Sequence, residues 1–306
     1  MEEITIIVDD KMDGLRIDKA LRDKVDLSRT KLQKLIAEGL VCVDDEPVKS
    51  NYKVKLDEEI TVDLPEEVEY VVRPSKMDLD IVYEDDDIIV LNKEKGMIVH
   101  PTASTKELTL VEGVLYHCGK LSDVNGVLRP GVVHRIDKDT TGLIIMAKNN
   151  QAHEFLAEQL ANHKMSRKYF VLVHGVIGHD HGTIDAPIGR DPYDRQKMAV
   201  TDKNSKDSIT YFTVIERFEN HSLIECSLKT GRTHQIRVHM EYIGFPVVND
   251  PKYSFRKQKG DGQLLHAHQL TFVHPTTEES MTVNADLPED FKRYLQELRE
   301  EVGYNE

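Results

Sequence analysis

The stretch HRIDKDTTG, residues 134–142, is polar or charged at seven of its nine positions. It lies between two apolar runs, GVV (131–133) and LIIMA (143–147). Short apolar runs bounded by turn residues predict buried strands. Two such strands meeting here would place Asp137 at a strand end, where an unpaired charge is costly. Turn chemistry accounts for Asp139, Thr140, Thr141 and Gly142, because short polar side chains cap exposed peptide groups. It does not account for His134, Arg135 or Asp137. Asp137 is therefore the first candidate for a catalytic carboxylate.

Outward from this stretch, strand and helix patterns alternate irregularly. IVYEDDDIIVLNKEKGMIVHP (81–101) predicts a hairpin around an acidic turn. LTLVEGVLYHCG predicts a helix ending at Gly119, and NQAHEFLAEQLANH a helix with Ala152, Phe155, Leu156 and Leu160 on one face. KYFVLVHG is a strand, residues 178–208 read as an extended insertion, and ITYFTVIERF with SLIECSLKTG forms a second hairpin. THQIRVHMEYIG reads as a helix, LLHAHQLTFVHP as a strand and EDFKRYLQELREE as a closing amphipathic helix. Several neighbouring strands read as antiparallel, which favours an α+β fold over a doubly wound sheet.

The N-terminal part has a different character. LRIDKALRDKV and SRTKLQKLIAEG predict two helices, the second capped by Ser28 and stopped at Gly39. LVCV and EITVDLP follow as short strands. The polar helix faces carry Arg16, Lys19, Arg22, Arg29, Lys31 and Lys34. A solvated charged face is the plainer reading, and a phosphate-contacting surface the sharper one. Residues 64–80, with two prolines and little periodicity, read as a linker.

Charge is unevenly placed along the 306 residues, whose formal net charge is −14. Residues 40–90 hold 16 acidic and 5 basic side chains. Residues 16–39 and 91–275 are each net basic, and local field governs contact with a polyanion more than the total does. No apolar run approaches the ~18 residues that span a bilayer. The acidic start MEEITIIVDD lacks the marks of a signal peptide. Three widely spaced cysteines argue against a disulfide framework or a Cys-rich zinc site. A reducing cytoplasm is the expected location.

Two further constellations stand out. In TGRTHQIRVH (230–239), Arg232 precedes a helix and Arg237 lies within it. Paired with Asp137, Arg232 could favour the ionised carboxylate; the plainer reading is a loop cation and a helical surface cation. In SRKYFVLVHG, Tyr169 opens a β-branched strand. It reads either as a core tyrosine or as an aromatic plate for a nucleobase with a phenol able to share a proton.

Taken together, RPGVVHRIDKDTTGLIIMAK (129–148), GMIVHP, KYFVLVHG, GRTHQIRVHM, FPVVNDPKY and LLHAHQLTFVHP closely resemble the signatures of the RluA/RluD family of ribosomal large-subunit pseudouridine synthases. The resemblance covers most of residues 80–300. LRIDKAL and SRTKLQKLIAEGLVCVDDEPV resemble the S-four RNA-binding domain, a common N-terminal addition in that family. The resemblance implies an S-four-like domain over 1–70 with an acidic linker to about 80. It implies a catalytic domain over 81–306, built on a mixed, mainly antiparallel sheet with flanking helices. It places the family's catalytic aspartate on Asp137, its tyrosine on Tyr169 and its active-site arginine on Arg232. It gives Arg135 a role in filling the space that a flipped base vacates. It implies an RNA partner, most directly ribosomal RNA, with no cofactor, no metal, no membrane and no obligate protein partner.

Departures from the pattern are Ile136 for Leu, Thr141 for Ser, Asn249 for Gly, and Asp44-Asp45 where S-four domains carry Asn-Gly. A catalytically inactive RNA-binding protein of the same fold is the alternative, which the intact Asp137, Tyr169 and Arg232 disfavour. A metallohydrolase finds no HExxH and no paired Cys motif among the 14 histidines and three cysteines.

Overall fold

The computed structural model describes residues 2–22, 24–25, 27, 29–64, 72–102, 105, 107–254 and 260–303. The chain divides into two compact units, Met1–Glu69 and Tyr70–Glu306.

The first unit runs β1 (Glu2–Ile7), α1 (Ile17–Ala20), α2 (Arg29–Ala37), β2 (Val41–Val43), β3 (Glu46–Pro47) and β4 (Glu59–Leu64). Its antiparallel sheet has the order β1-β4-β2-β3. Ile17, Leu21, Leu32, Leu35 and Ile36 pack on Val41, Val43, Ile60 and Val62 to form its own core. The first helix is one turn long, much shorter than its periodicity predicts. Ser28, the expected cap of α2, lies outside the described residues. The turn joining β2 to β3 holds Asp44 at φ 48° and Asp45 at φ 67°. Two consecutive left-handed residues make the tight hairpin turn for which Asn-Gly is preferred, and Asp is among the few alternatives that tolerate it.

The second unit begins with β5 (Ile81–Glu84), β6 (Ile88–Lys93), α3 (Leu110–Cys118), β7 (Thr141–Ala147), α4 (Asn150–Ala161) and β8 (Ser166–His174). It continues with β9 (His181–Asp185), β10 (Ile188–Arg190), β11 (Met198–Val200), β12 (Ile209–Arg217) and β13 (His221–Leu228). It closes with α5 (Gln235–Tyr242), β14 (Leu265–Val273), β15 (Ser280–Asn284) and α6 (Glu289–Gly303). The main sheet has the order β5-β6-β7-β14-β8-β13-β12-β9, with β15 paired to β14. Its pairings are antiparallel except β7 with β14, where His266 faces Thr141 and Ala267 faces Gly142. The expected mixed, mainly antiparallel α+β fold is what the chain adopts. The segment 178–208 is more regular than its composition suggests, since it contributes β9 to the main sheet and the separate β10–β11 pair.

Strand β7 is buried at every residue. Ile144 and Met146 face one core with α3 and α5, through Leu110, Val111, Val114, Ile236 and Met240. Leu143, Ile145 and Ala147 face the other, over Ala152 and Leu156 of α4. This period-two division follows from strand geometry. Burying each large aliphatic side chain contributes roughly 1.5–3 kcal/mol. Gly142 permits the parallel junction: at φ 104°, a Cβ there would meet the Ala267 carbonyl oxygen at 2.3 Å. Any larger residue would force β7 and β14 apart.

The segment before the quoted stretch is not a strand. It touches the sheet through one bridge, Val132 to Met146, and then runs irregularly to Thr140. His134 is the physical reason. Its ring accepts the Ile145 N–H at 3.3 Å, so a side chain occupies the place of a neighbouring strand. No helix among the described residues is long and apolar enough to cross a membrane.

Candidate active site

Asp137 lies in the irregular segment that enters β7. The turn closes with Thr140 N–H donating to the Asp137 carbonyl at 3.1 Å, and Thr140 Oγ1 accepts from Gln263 at 3.0 Å. From below, Lys93 at the end of β6 is 2% exposed and donates to the carbonyls of Glu94, Met97 and Lys138. Burial lowers the Lys93 pKa to about 7 against the opposing charges of Asp139, Asp137 and Glu94. This buried ammonium fastens the loop after β6 to the turn that carries Asp137.

The carboxylate of Asp137 meets Arg237, not Arg232. Arg237 Nη1 donates to Asp137 Oδ2 at 2.8 Å. Its Nε and Nη2 clasp both oxygens of Asp250, at 2.7 and 2.9 Å. Asp250 is fully buried and also accepts the backbone N–H groups of Lys252 and Tyr253. Burial by itself would lower the Arg237 pKa, but the bonds and charges of Asp250 and Asp137 more than offset it and raise the value. Arg237 thus orients one oxygen of Asp137, and Asp250 orients Arg237.

Arg232, expected as the partner of Asp137, points elsewhere. Its Nε donates to the Asp207 carbonyl at 3.1 Å. The loop that holds it is knitted by Gln235, which accepts from Arg232 N–H and Thr230 Oγ1 and donates to Ile209 O and Thr210 Oγ1. Arg232 stays on the wall of the cavity without touching the carboxylate. Sequence reasoning left Arg237 as a helical surface cation. It sits beside the apolar stripe of Ile236 and Met240, where a cation needs a carboxylate partner to be tolerated.

Asp137 Oδ1 makes no hydrogen bond among the described residues. Asp137 lines a cavity of about 90 Å³ together with Tyr169, Arg135, Arg232, His234 and Leu265, among others. Tyr169 comes from β8, between Cys226 and Ala267 on the neighbouring strands, and is 4% exposed. Burial raises its pKa, the Arg167 charge opposes this and the Asp137 charge adds to it. The phenol is therefore protonated at neutral pH. His234 caps α5 with left-handed backbone, φ 58°. Its Nε2 lies 3.9 Å from Asp137 Oδ1, and its Nδ1 is 2.7 Å from the Tyr253 hydroxyl. Burial pushes its pKa down to about 4, so it is neutral. Arg135 is exposed and lines this cavity and the two larger clefts that adjoin it. Asp139 borders the larger cleft but not the cavity with Tyr169.

Comparison with known proteins bears on this arrangement. The profile described as RNA pseudouridylate synthase matches residues 87–242, and that of the S4 domain matches residues 15–60. A Bacillus subtilis protein named "Uncharacterized RNA pseudouridine synthase YlyB" is 51% identical over 301 residues, covering 98% of this chain and 99% of its own length. The "Ribosomal large subunit pseudouridine synthase D" of Zymomonas mobilis is 41% identical, covering 95% of each. The chain belongs to the RNA pseudouridine synthase family. Among solved structures, the synthase is similar to "Human RNA Pseudouridylate Synthase Domain Containing 1", with a TM-score of 0.57 and 26% identity. That similarity covers 72% of this chain and 95% of the human one.

Asn249, where the family pattern usually has Gly, adopts φ 60° in the synthase. Asn is one of the few residues that enter this left-handed region readily, so the loop leading to Asp250 keeps a glycine-like path. In the S4 unit, the basic list is less free than the sequence suggests. Arg16 makes two bonds to Asp18, Lys34 stands 3.7 Å from Glu38, and Lys31 is half-buried and already engaged. Lys19 is exposed. Arg29 opens α2, and its side chain lies outside the described residues. Two groups could each offer three metal-ligating atoms, Glu84–His117–Cys118 and Asp85–Asp87–His274. Lys148 already pairs with Glu84 in the first, and none of the six residues lines the cavity at Asp137.

Proposed function

We propose that the synthase isomerises specific uridines of large-subunit ribosomal RNA, with Asp137 as the group that acts on the sugar. One observation carries this reading. Arg237 holds one oxygen of Asp137, the other makes no hydrogen bond among the described residues, and Asp137 lines a small cavity together with Tyr169. A carboxylate held rigidly among apolar neighbours suits glycosidic-bond cleavage in which water must not capture the sugar. The free Oδ1 would attack the anomeric carbon or take a hydrogen from the adjacent sugar carbon; both routes begin at the same oxygen. Uracil then turns and rejoins through ring carbon, with no net redox change. Tyr169 would stack on the base and, after passing its phenolic proton to the Asp137 carboxylate, take the last proton from ring carbon. The uridine must leave its stack to reach this cavity, which costs a few kcal/mol and least in loops. Arg135, exposed at the mouth, would occupy the space left behind. The cytoplasm is the proposed site of action.

The test is pseudouridine mapping in total RNA from cells with and without this protein. The expected result is loss of one or a few sites in large-subunit ribosomal RNA. An unchanged map, or losses confined to transfer RNA, would contradict the substrate.

Tyr169→Phe is expected to bind RNA normally and to stall after bond cleavage, because stacking survives and the phenol does not. Turnover at the parent rate would leave Tyr169 as a stacking plate only.

The S4 unit, with its own core, is proposed to capture substrate by tethering RNA near Asp137, a gain in effective concentration. Deleting residues 1–70 should raise the apparent KM on long RNA and flatten the salt dependence of binding by about 0.9 or less per lost phosphate contact. The single-turnover rate at saturation should stay near that of the full chain. Unchanged affinity and slope would make the basic helix faces plain solvated surface. A collapse of the saturating rate would make the unit part of the catalytic apparatus.

A further inference from the structure

A cleft of about 510 Å³ shares Arg135 with the larger cleft already described. It is lined by Arg135, Arg167, Lys229 and Arg232, with His163 beside them and no carboxylate. The cleft shares Arg135, Arg167 and Arg232 with the cavity that holds Asp137. Several other cations around the site are matched by acids: Lys138 with Glu107, Lys168 with Glu225, Arg237 with Asp137 and Asp250. Among the described residues, none of the four cleft cations has a carboxylate partner. In a chain of net charge −14, such a gathering of unpaired cations repels itself and awaits an anion.

Two details point to a ligand. Arg167 Nε is buried and has no hydrogen-bond partner. Among the described residues the Arg167 guanidinium makes no hydrogen bond at all, so its terminal Nη donors are left for an oxygen anion in the cleft that Arg167 lines. Gly231 lies directly against the same guanidinium. A Cβ there would stand 2.9 Å from Arg167 Nη1. Gly231 thus leaves room for the planar group to lie flat on the backbone with its donors available. A planar guanidinium is suited to bidentate phosphate binding, and the exposed Lys229 supplies a mobile point charge beside it. The larger cleft contrasts with this one. Its lining mixes the carboxylates of Glu107, Asp137 and Asp139 with the cations of Arg135, Lys138, Arg237 and Lys252, two of them paired with those acids, so it lacks the unbroken positive lining of the smaller cleft.

We propose that this cleft is a phosphodiester-binding subsite, with Arg167 and Lys229 as anchors for the RNA strand on one side of the extruded uridine. The proposal rests on the reading of RNA as substrate and assigns a direction to the strand: it passes from the reaction cavity around Arg135 into the cation-lined cleft.

The experiment measures binding of an unmodified large-subunit ribosomal RNA transcript to the full-length protein over a series of KCl concentrations. Lys229→Gln and Arg167→Gln should each weaken binding roughly three- to tenfold and reduce the slope of log affinity against log salt by about 0.7–0.9. Lys229→Arg should keep the parent slope. Lys120→Gln removes an exposed cation outside the cleft and should behave as the parent. Parent affinity and slope in both cleft variants would overturn the proposal, as would an equal loss in Lys120→Gln. Saturable binding of inorganic phosphate that Arg167→Gln abolishes, with the RNA slope unchanged, would assign the cleft to a small phosphate ester and overturn the strand path. Pseudouridine formation on the same transcript is scored separately. A parent protein that forms none, while the slope still falls in the variants, would sink the activity reading and leave the subsite standing.

Discussion

Asp137→Ala is expected to abolish isomerisation, lowering the rate by at least about four orders of magnitude, while fold and RNA affinity stay near those of the parent. The oxygen that would react is Oδ1, and no other carboxylate can take its place. Asp139 is turned toward the larger cleft and packs against Gly262, where a Cβ would lie 2.6 Å from its own. Asp250 is fully buried and spent on Arg237 and two backbone N–H groups. Removal of the Asp137 side chain does not strand Arg237, which keeps both bonds to Asp250. The variant should therefore bind substrate RNA and fail only in the chemistry. Turnover assays on purified protein, with thermal unfolding and RNA binding measured alongside, test this. Substantial remaining activity would remove Asp137 from the mechanism.

Arg237→Met is expected to be the more damaging change to the molecule as a whole. The guanidinium is almost entirely buried and bridges two carboxylates. Its loss removes both guanidinium bonds from the buried Asp250 and leaves Asp137 without its arginine. Breaking a buried ion pair by removing one partner typically costs about 3–5 kcal/mol, so the catalytic unit should unfold at markedly lower denaturant concentration. Activity should fall together with stability. Arg237→Lys should recover part of the stability and little of the activity, because one ammonium cannot reproduce the forked contacts to both acids. Arg232→Met supplies the contrast. Its side chain holds a single carbonyl, so its loss should cost much less stability. Equal loss of stability in the two methionine variants would refute the assignment of Arg237 as the structural partner of Asp137.

These two arginines also mark how far the sequence could be read. TGRTHQIRVH announced a functional loop and helix, but spacing cannot tell which guanidinium meets a carboxylate 100 residues away in the chain. That depends on how α5 packs under β7 and β8. Asp137 and Tyr169 were legible because each breaks the chemistry of its neighbourhood, one a charge beside an apolar run and the other a tyrosine within one. His234 and Lys93 were not legible as parts of the site. A left-handed cap and a lysine buried on three carbonyls are decided by tertiary contacts, not by local pattern.

The fold divides in the same way. Strands β6, β7 and β8 each contain an unbroken apolar run and declare themselves, and β14 is marked by its β-rich LTFV end. β1 escaped because Glu2 and Glu3 read as an acidic tail, although Ile4 and Ile6 alternate toward the core. β10 and β11 escaped because three-residue strands set among Gly, Pro and Asp resemble loop. The segment from Gly131 to Thr140 failed in the opposite direction. Its valines suggested a strand, but the His134 ring takes the N–H that a strand neighbour would have used.

The most direct measurement is complementation with position-resolved pseudouridine mapping. Cells lacking the protein would receive either the parent chain or Asp137→Ala at matched abundance. The account predicts that the parent restores every lost pseudouridine in large-subunit ribosomal RNA and that Asp137→Ala restores none. Restoration of the same sites by Asp137→Ala would contradict it.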